Sequence, residues 1–367
     1  MREFTRGTDA EIVWREQAIE RLICEVAELR RRSEQHKFIV APIRRVPREI
    51  LAEIFLQLAT MEEDGGKPDY YHLPLLHRAP LIFGEVSRAW RTVSLSTPRL
   101  WSSISLRCGN KQSQTNSALC ATWLKRAGSL PLSIRFSRTG HFELAALGEP
   151  VSPAVVRNCQ DLMKAILPYS RRWRFLHFQN LPPSSYDIID SLQPGSVPIL
   201  EYLSVENIAG PRHSIPQSTP WAKLKVAPKL THLFFDKFRG SSIVIQGEGR
   251  TFPFSQLTHI DVNGCSGHDC LAILSQAPRA VACQFTMTET SSLQHPSVLH
   301  PGLQTLKFNL YVNPGQFSLS QLTCSALSTL SICAEREASP FSQDLPAFIS
   351  RSGSTLTDLV LDGCSLD

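Results

Sequence analysis

The spacing of the hydrophobic residues changes near residue 130 of the 367-residue chain. Before this point apolar residues recur every three or four positions, which is the period of amphipathic helices. After it a six-residue pattern returns, apolar at its first, fourth and sixth positions. The copies read WRFLHF (173–178), LEYLSV (200–205), LTHLFF (230–235), LTHIDV (257–262), AVACQF (280–285, degenerate), LQTLKF (303–308), LSTLSI (327–332) and LTDLVL (356–361).

The starts of these copies lie 23 to 30 residues apart, about the period of leucine-rich repeats. In such an array each repeat contributes one short strand, and stacked repeats bury a continuous core under the pattern positions. We therefore predict an α/β solenoid of short parallel strands over 130–367, with helices or loops on its convex side. Because the last strand, 356–361, is close to the end of the sequence, we expect this domain to lack a C-terminal capping unit.

The residues between the pattern positions are expected to face outward on the concave side. Aromatic residues at three successive repeats, Phe175, Tyr202 and Phe234, are typical anchors of protein–protein binding. The alternative is that a flanking loop or the preceding domain covers them. The candidate binding face consists of Phe175, His177, Tyr202, Glu206, His232, Phe234, Asp236, His259 and Asp261.

Residues 9–38 predict a long amphipathic helix. Its apolar residues follow the spacing of a coiled-coil seam, which is interrupted by Arg15 at one inward position. Two interpretations stay open: self-association through a coiled coil, or a single helix packed on its own domain. The seam residues are Ile12, Ile19, Leu22, Val26 and Leu29.

Residues 42–106 predict a block of short helices. The first follows Pro47 in VPREILAEIFLQL (46–58), where a proline suits the start of a helix. A second helix is expected over 80–96, and a third short turn over 96–101. Their apolar faces are broader than so small a bundle can bury, so we expect a partner to cover part of them.

Composition and charge exclude several classes of protein. No apolar run approaches the length of a membrane span, and the first residues lack the apolar core of a signal peptide. The net charge of +5 comes without a nucleic-acid-binding motif. No catalytic motif is present, and we expect no enzyme activity and no cofactor. An intracellular protein, cytoplasmic or nuclear, is expected.

The ten cysteines are expected to be reduced and mostly buried thiols. Cys265, His268 and Cys270 could in principle bind zinc. However, Cys265 lies eight residues after Leu257, which is the asparagine or cysteine position of the leucine-rich consensus. We therefore predict that Cys265 turns inward beside the loop backbone, and we predict no metal site.

The block 42–106 resembles the F-box. The resemblance lies in VPREILAEIFLQL and in VSRAWRTVSLSTPRLWSSISL (86–106), and it covers the Pro, Glu-Ile-Leu, Val-x-Arg-x-Trp and Leu-Trp elements. Val46 stands where the family usually has leucine, and Ser87 where it has cysteine. The segment 59–80 is also long for an F-box. Together with the N-terminal helix and the repeats, the arrangement resembles F-box proteins of mushroom-forming (basidiomycete) fungi.

This resemblance implies a fold and a function. The fold is an N-terminal helix, a three-helix F-box-like domain, and the leucine-rich-repeat-like solenoid. The F-box would dock a Skp-type adaptor and through it a cullin scaffold, while the repeats hold a protein substrate for ubiquitylation. The alternative is an interaction scaffold outside any ligase. The residues implied in adaptor binding are Val46, Pro47, Ile50, Leu51, Ile54, Phe55, Val86 and Trp90.

Overall fold

The chain is described by a computed structural model that combines helices with a parallel sheet of ten strands. It divides into two units, Met1–Phe55 and Leu56–Asp367, each of which is described by itself. The structure describes residues 2–40, 42–61, 79–108, 113–138, 151–186, 189–193, 195–206, 227–236, 253–288, 296–311, 318–334, 344–353 and 356–363.

One long helix, α1 (Arg2–Val40), makes up most of the first unit. It contains the whole of the helix predicted over 9–38. A 3₁₀ turn follows at Pro42–Arg45, and α2 (Arg48–Met61) begins directly after Pro47. The carbonyl oxygen of Pro47 accepts a hydrogen bond from the N–H of Leu51 at 3.0 Å, so the proline stands at the start of this helix as predicted.

The helix predicted over 80–96 is interrupted at Ser87, which corrects the sequence-based prediction. Two helices are present, α3 (Ala79–Val86) and α4 (Arg88–Ser96). Ser87 has an extended backbone, and its Oγ accepts a hydrogen bond from the N–H of Trp90 at 3.1 Å. The serine therefore caps a new helix, which gives it a local structural role. The predicted third turn is a 3₁₀ turn, Pro98–Trp101.

The ten-stranded sheet adds its strands in chain order, each one parallel to the last. A separate pair of short parallel strands, β8 (Val298–Leu299) and β10 (Leu322–Thr323), lies between the later repeats. The strands of the main sheet are β1 (Ser103–Cys108), β2 (Leu132–Arg138), β3 (Trp173–Gln179), β4 (Tyr202–Glu206), β5 (His232–Asp236), β6 (His259–Cys265), β7 (Ala282–Met287), β9 (Thr305–Leu310), β11 (Thr329–Ala334) and β12 (Asp358–Asp362).

The strand register aligns the apolar positions of the six-residue pattern. Leu176 pairs with Leu203, which pairs with Leu233, and the alignment continues to Leu359 on the last strand. The first position of the pattern is fully buried from Trp173 through the middle of the sheet. The prediction that every copy forms one strand, in register with its neighbours, is thus confirmed.

Two strands precede the first predicted copy, because the sheet begins at Ser103 rather than near 130. Ile104 and Ile134 occupy the row that Leu176 continues. Helices follow several of the strands, in keeping with the helices or loops expected between them. The remaining helices are α5 (Ser113–Arg126), α6 (Pro153–Ile166), α7 (Pro183–Tyr186), α8 (Gly267–Gln276) and α9 (Leu345–Ser352).

Trp101 connects the helical block to the start of the sheet. Its side chain is buried, and its Nε1–H donates a 2.8 Å hydrogen bond to the carbonyl oxygen of Ser94 in α4. Its ring meets that of Trp123 in α5 edge to face, with centroids 4.7 Å apart. The guanidinium of Arg126 lies 4.5 Å from the same ring. The Leu-Trp element of the sequence is therefore a core anchor.

The cysteines differ in part from the expectation. Cys108 at the end of β1 and Cys159 in α6 form a disulfide, with Cα atoms 5.7 Å apart, where reduced thiols were predicted. The two side chains meet because α6 packs over β1. Cys120 and Cys324 are buried free thiols, and burial raises the pKa of each to about 12. Such thiols stay protonated and unreactive at neutral pH.

Candidate functional site

The apolar residues of α2 fall into two neighbouring stripes with different exposure. Leu51 and Phe55 are 4% and 0% exposed, and they form a buried stripe one helical turn apart. Ile50 and Ile54 are 54% and 37% exposed, and they form the adjacent stripe. Of the residues implied in adaptor binding, the isoleucines are thus available to a partner, whereas Leu51 and Phe55 belong to the core.

Leu58 continues the exposed stripe of α2, since it lies four residues after Ile54 and is also exposed. Sequence reasoning did not include it among the adaptor residues, although its spacing was visible. Before the helix, Pro47 is exposed and Val46 is half-buried. Exposed rows of branched apolar side chains, one per helical turn, are typical of helix faces that bind apolar partners.

The second unit carries its own exposed apolar residues near the start. Val86, which the resemblance implies in adaptor binding, is exposed. Trp90 is half-buried, with its ring 6.4 Å from that of Phe83 in an edge-to-face arrangement. Leu81 and Ile82 in α3 are also exposed, and sequence reasoning did not assign them to the site.

The candidate binding face contains a row of stacked rings across four strands. Phe175, Tyr202, His232 and His259 are register partners on β3 to β6. Successive ring centroids lie 4.2, 6.2 and 4.2 Å apart, and the outer two pairs are nearly parallel. The predicted alignment of these residues is present, and strand spacing alone brings the rings into contact.

This face is less exposed than the sequence predicted. Phe175 and Phe234 are more than nine-tenths buried, and so is His177. Stacking against Tyr202 hides one face of the Phe175 ring. Tyr202, His232 and His259 keep intermediate exposure, as do Glu206, Asp236 and Asp261. The accessible residues of the face are therefore the tyrosine, two histidines and three acidic residues named above.

A groove that is open to solvent runs over β4 to β7 and β9. Its lining extends beyond the predicted face to the strands β7 and β9, where Gln284 and Lys307 contribute. Gln284 was missed because its repeat, AVACQF, is the degenerate copy. From the predicted face the groove includes Tyr202, His232, Phe234, His259 and Asp261.

Burial keeps the imidazoles of this face neutral at pH 7. It lowers the pKa of His232, where His259 adds to the effect, and it lowers the pKa of His259. Burial also raises the pKa of Asp236 to about 6. At neutral pH the face therefore combines neutral rings with carboxylates and the single ammonium of Lys307 among the groove-lining residues described.

Protonation of His177 makes the free energy of unfolding depend on pH in the acidic range. Burial and the guanidinium of Arg135 lower its pKa from 6.5 to about 3, although the Glu206 carboxylate lies 3.5 Å from its Nε2. Between these pH values the unfolded chain binds a proton that the folded chain does not. The free energy of unfolding should thus fall as the pH drops through this window, by up to about 1.4 kcal/mol per pH unit from this group.

A His177→Gln variant is expected to remove this contribution, so its unfolding free energy should depend less on pH between 6.5 and 3. Urea unfolding at several pH values measures the slopes of the unfolding free energy against pH for wild type and variant.

Asp236 contributes in the opposite direction to His177, because its raised pKa stabilises the folded state as the pH falls from about 6 toward 3.8. The exposed His36→Gln serves as the control. Equal slopes for wild type and His177→Gln would contradict the assignment.

Cys265 turns inward, as its position in the repeat predicted. Its Sγ lies 3.6 Å from the carbonyl oxygen of Thr286 and 3.5 Å from the Sγ of Cys270. Burial raises the pKa of Cys270, which disfavours the thiolate that a metal requires. Within the described part of the chain, no group of three or more histidine, cysteine or acidic side chains could hold a metal ion.

Comparison with known proteins adds no relative: no protein-family model and no curated protein matches the chain. Among the helices that the structure describes, none is both long and apolar enough to cross a bilayer.

Proposed function

We propose that this protein is the substrate-recognition subunit of an SCF-type cullin ubiquitin ligase. In this proposal residues 42–106 form an F-box-like domain that docks a Skp-type adaptor. The strands that follow form a leucine-rich-repeat-like solenoid that binds the target protein. The protein itself catalyses nothing and supplies proximity between the target and the ligase.

The observation that carries the proposal is the exposed stripe of α2. Ile50 and Ile54 match the F-box pattern, and both remain open to solvent in this chain while Leu51 and Phe55 are buried. Full burial of an isoleucine or leucine side chain is worth about 1.5–3 kcal/mol. Covering this stripe, and the separate exposed residues Val86 and Ile82, would supply the affinity of a stable complex.

The parallel sheet supports the second half of the proposal. Its strands follow chain order, and from β3 onward they recur at the spacing of leucine-rich repeats, as expected of a solenoid. Solenoids bind partners along extended concave surfaces. The groove over β4 to β9 offers such a surface, with half-buried rings at Tyr202, His232 and His259.

Reconstitution of the ligase tests this function. The purified chain is combined with a Skp-type adaptor, a cullin, a RING protein, the ubiquitin-activating and ubiquitin-conjugating enzymes, and ubiquitin. We expect ubiquitin transfer to the chain or to proteins that co-purify with it, and no transfer when the adaptor is omitted. Adaptor binding without any transfer would instead favour the alternative, an interaction scaffold outside the ligase.

A further inference from the structure

The helix α1 exposes a continuous apolar seam. Its five seam residues are between 44% and 59% exposed, although they include isoleucine, leucine and valine. The helix has 39 residues, so the seam occupies the middle of a rod about 58 Å long. The seam residues are Ile12, Ile19, Leu22, Val26 and Leu29.

The seam has the heptad spacing of a two-stranded coiled coil. Ile12, Ile19 and Val26 occupy one inward position of successive heptads, and Leu22 and Leu29 occupy the other. Two such seams bury each other when helices pair, because each seam side chain packs into a hole formed by four residues of the facing helix. Ile23, which is also exposed, lies directly beside the seam and widens it.

The charges beside the seam differ between the two halves of the helix. Glu11 and Glu16 flank the first half, whereas Arg30 and Arg32, together with one acidic residue, Glu25, flank the second. A helix with this distribution is complementary to a copy of itself that runs in the opposite direction. We propose that α1 pairs with α1 of a second copy of this chain as an antiparallel coiled coil.

The antiparallel register follows from matching the apolar positions. Ile12 of one copy lies opposite Leu29 of the second copy, and Ile19 lies opposite Leu22. Arg15 then lies opposite Val26, where its methylene groups can cover the valine while its guanidinium reaches water. The same register brings Glu11 beside Arg32 of the second copy, and symmetry forms this pair twice.

A parallel pairing gains no net attraction from these charges. In that arrangement Glu11 would face Glu16 of the second copy, and this repulsion would occur twice. Glu25 would face Arg30, also twice, and this attraction would offset the repulsion, whereas the antiparallel register gains the Glu11–Arg32 pair twice. The existing pairs within the helix, Glu11 with Arg15 at 2.5 Å and Glu28 with Arg32 at 2.9 Å, are exposed and therefore weak. They can exchange for contacts between copies.

Sedimentation equilibrium of the full-length chain, in reductant to keep the exposed Cys24 free, tests the pairing. We expect a dimer that dissociates on dilution. Leu22→Asp should weaken it by a factor on the order of 100, because each copy would bury a carboxylate in the seam. Val13→Asp is the matched control, since Val13 is equally exposed but lies on the outer side of the helix. A wild-type chain that is monomeric at about 100 μM, or equal effects of the two variants, would overturn the proposal.

Charge reversal tests the orientation. Glu11→Lys and Arg32→Glu should each weaken the dimer by about ten-fold, and the double variant should restore it, because each exposed pair contributes up to about 1 kcal/mol. In a parallel dimer Glu11→Lys would instead strengthen the complex by pairing with Glu16. Glu20→Lys, on the outer side of the helix, should leave the dissociation constant unchanged. A stronger dimer for Glu11→Lys would overturn the antiparallel arrangement.

Discussion

An Ile50→Asp, Ile54→Asp double variant is expected to lose binding to a Skp-type adaptor while remaining folded. Both side chains are exposed in α2, so the carboxylates remain in water in the isolated chain. If the adaptor covers the stripe, the complex must bury two carboxylates without partners, which costs several kcal/mol. We expect the affinity to fall by about 100-fold or more, equivalent to about 2.7 kcal/mol. Isothermal titration calorimetry measures it.

Two further variants separate docking from folding. Leu119→Asp changes an equally exposed leucine in α5, outside the proposed docking face, and should leave adaptor affinity unchanged. Phe55→Ala removes a fully buried ring and should lower the free energy of unfolding by about 3–5 kcal/mol. Wild-type affinity in the Ile50→Asp, Ile54→Asp variant would show that the adaptor does not cover this stripe.

Trp101→Ala is expected to cause one of the largest losses of stability among single substitutions. The change empties the space of a buried indole and removes the shorter of two hydrogen bonds to the carbonyl oxygen of Ser94, which keeps the 3.5 Å bond from the N–H of Thr97. It also removes the ring contacts to Trp123 and Arg126. We expect the free energy of unfolding to fall by about 3–5 kcal/mol, measured by urea denaturation with circular dichroism.

Two tryptophan controls refine this result. Trp101→Phe keeps an aromatic ring but loses the hydrogen bond, so a smaller loss of about 1–3 kcal/mol is expected. Trp14 in α1 is exposed, and Trp14→Ala should change the free energy of unfolding by less than about 0.5 kcal/mol. The account of Trp101 as an anchor fails if Trp101→Ala unfolds at the same urea concentration as Trp14→Ala.

The sheet was largely predictable from the repeated pattern, because each copy places apolar residues at the three positions that a stacked strand must bury. The regular recurrence of the pattern identified these segments as strands, whereas a single copy would not have been evidence for a strand. The strand β1 was missed although WSSISL (101–106) carries the pattern at Trp101, Ile104 and Leu106, because these residues were assigned to the helical block. The strand β2 was missed because its leading apolar residue, Leu132, stands two rather than three residues before Ile134, where the register shifts. The break at Ser87 was missed because helical periodicity continues through it.

The division of the candidate site into core and contact residues could not be predicted. The helical period places Ile50, Leu51, Ile54 and Phe55 on one broad stripe, and only the surrounding structure decides which half is buried. The outward rows of the sheet were predicted correctly in alignment. The burial of these rows was not predicted, because it depends on ring contacts between strands, such as that of Phe175 with Tyr202.

Hydrogen exchange of the full-length chain, with and without a saturating Skp-type adaptor, tests the central claim most directly. Slower exchange shows which backbone amides the adaptor protects. The account predicts protection of the helices around 46–58 and 81–90, with unchanged exchange in the strands β4 to β9. No protection in these two segments, or protection confined to the sheet, would contradict it.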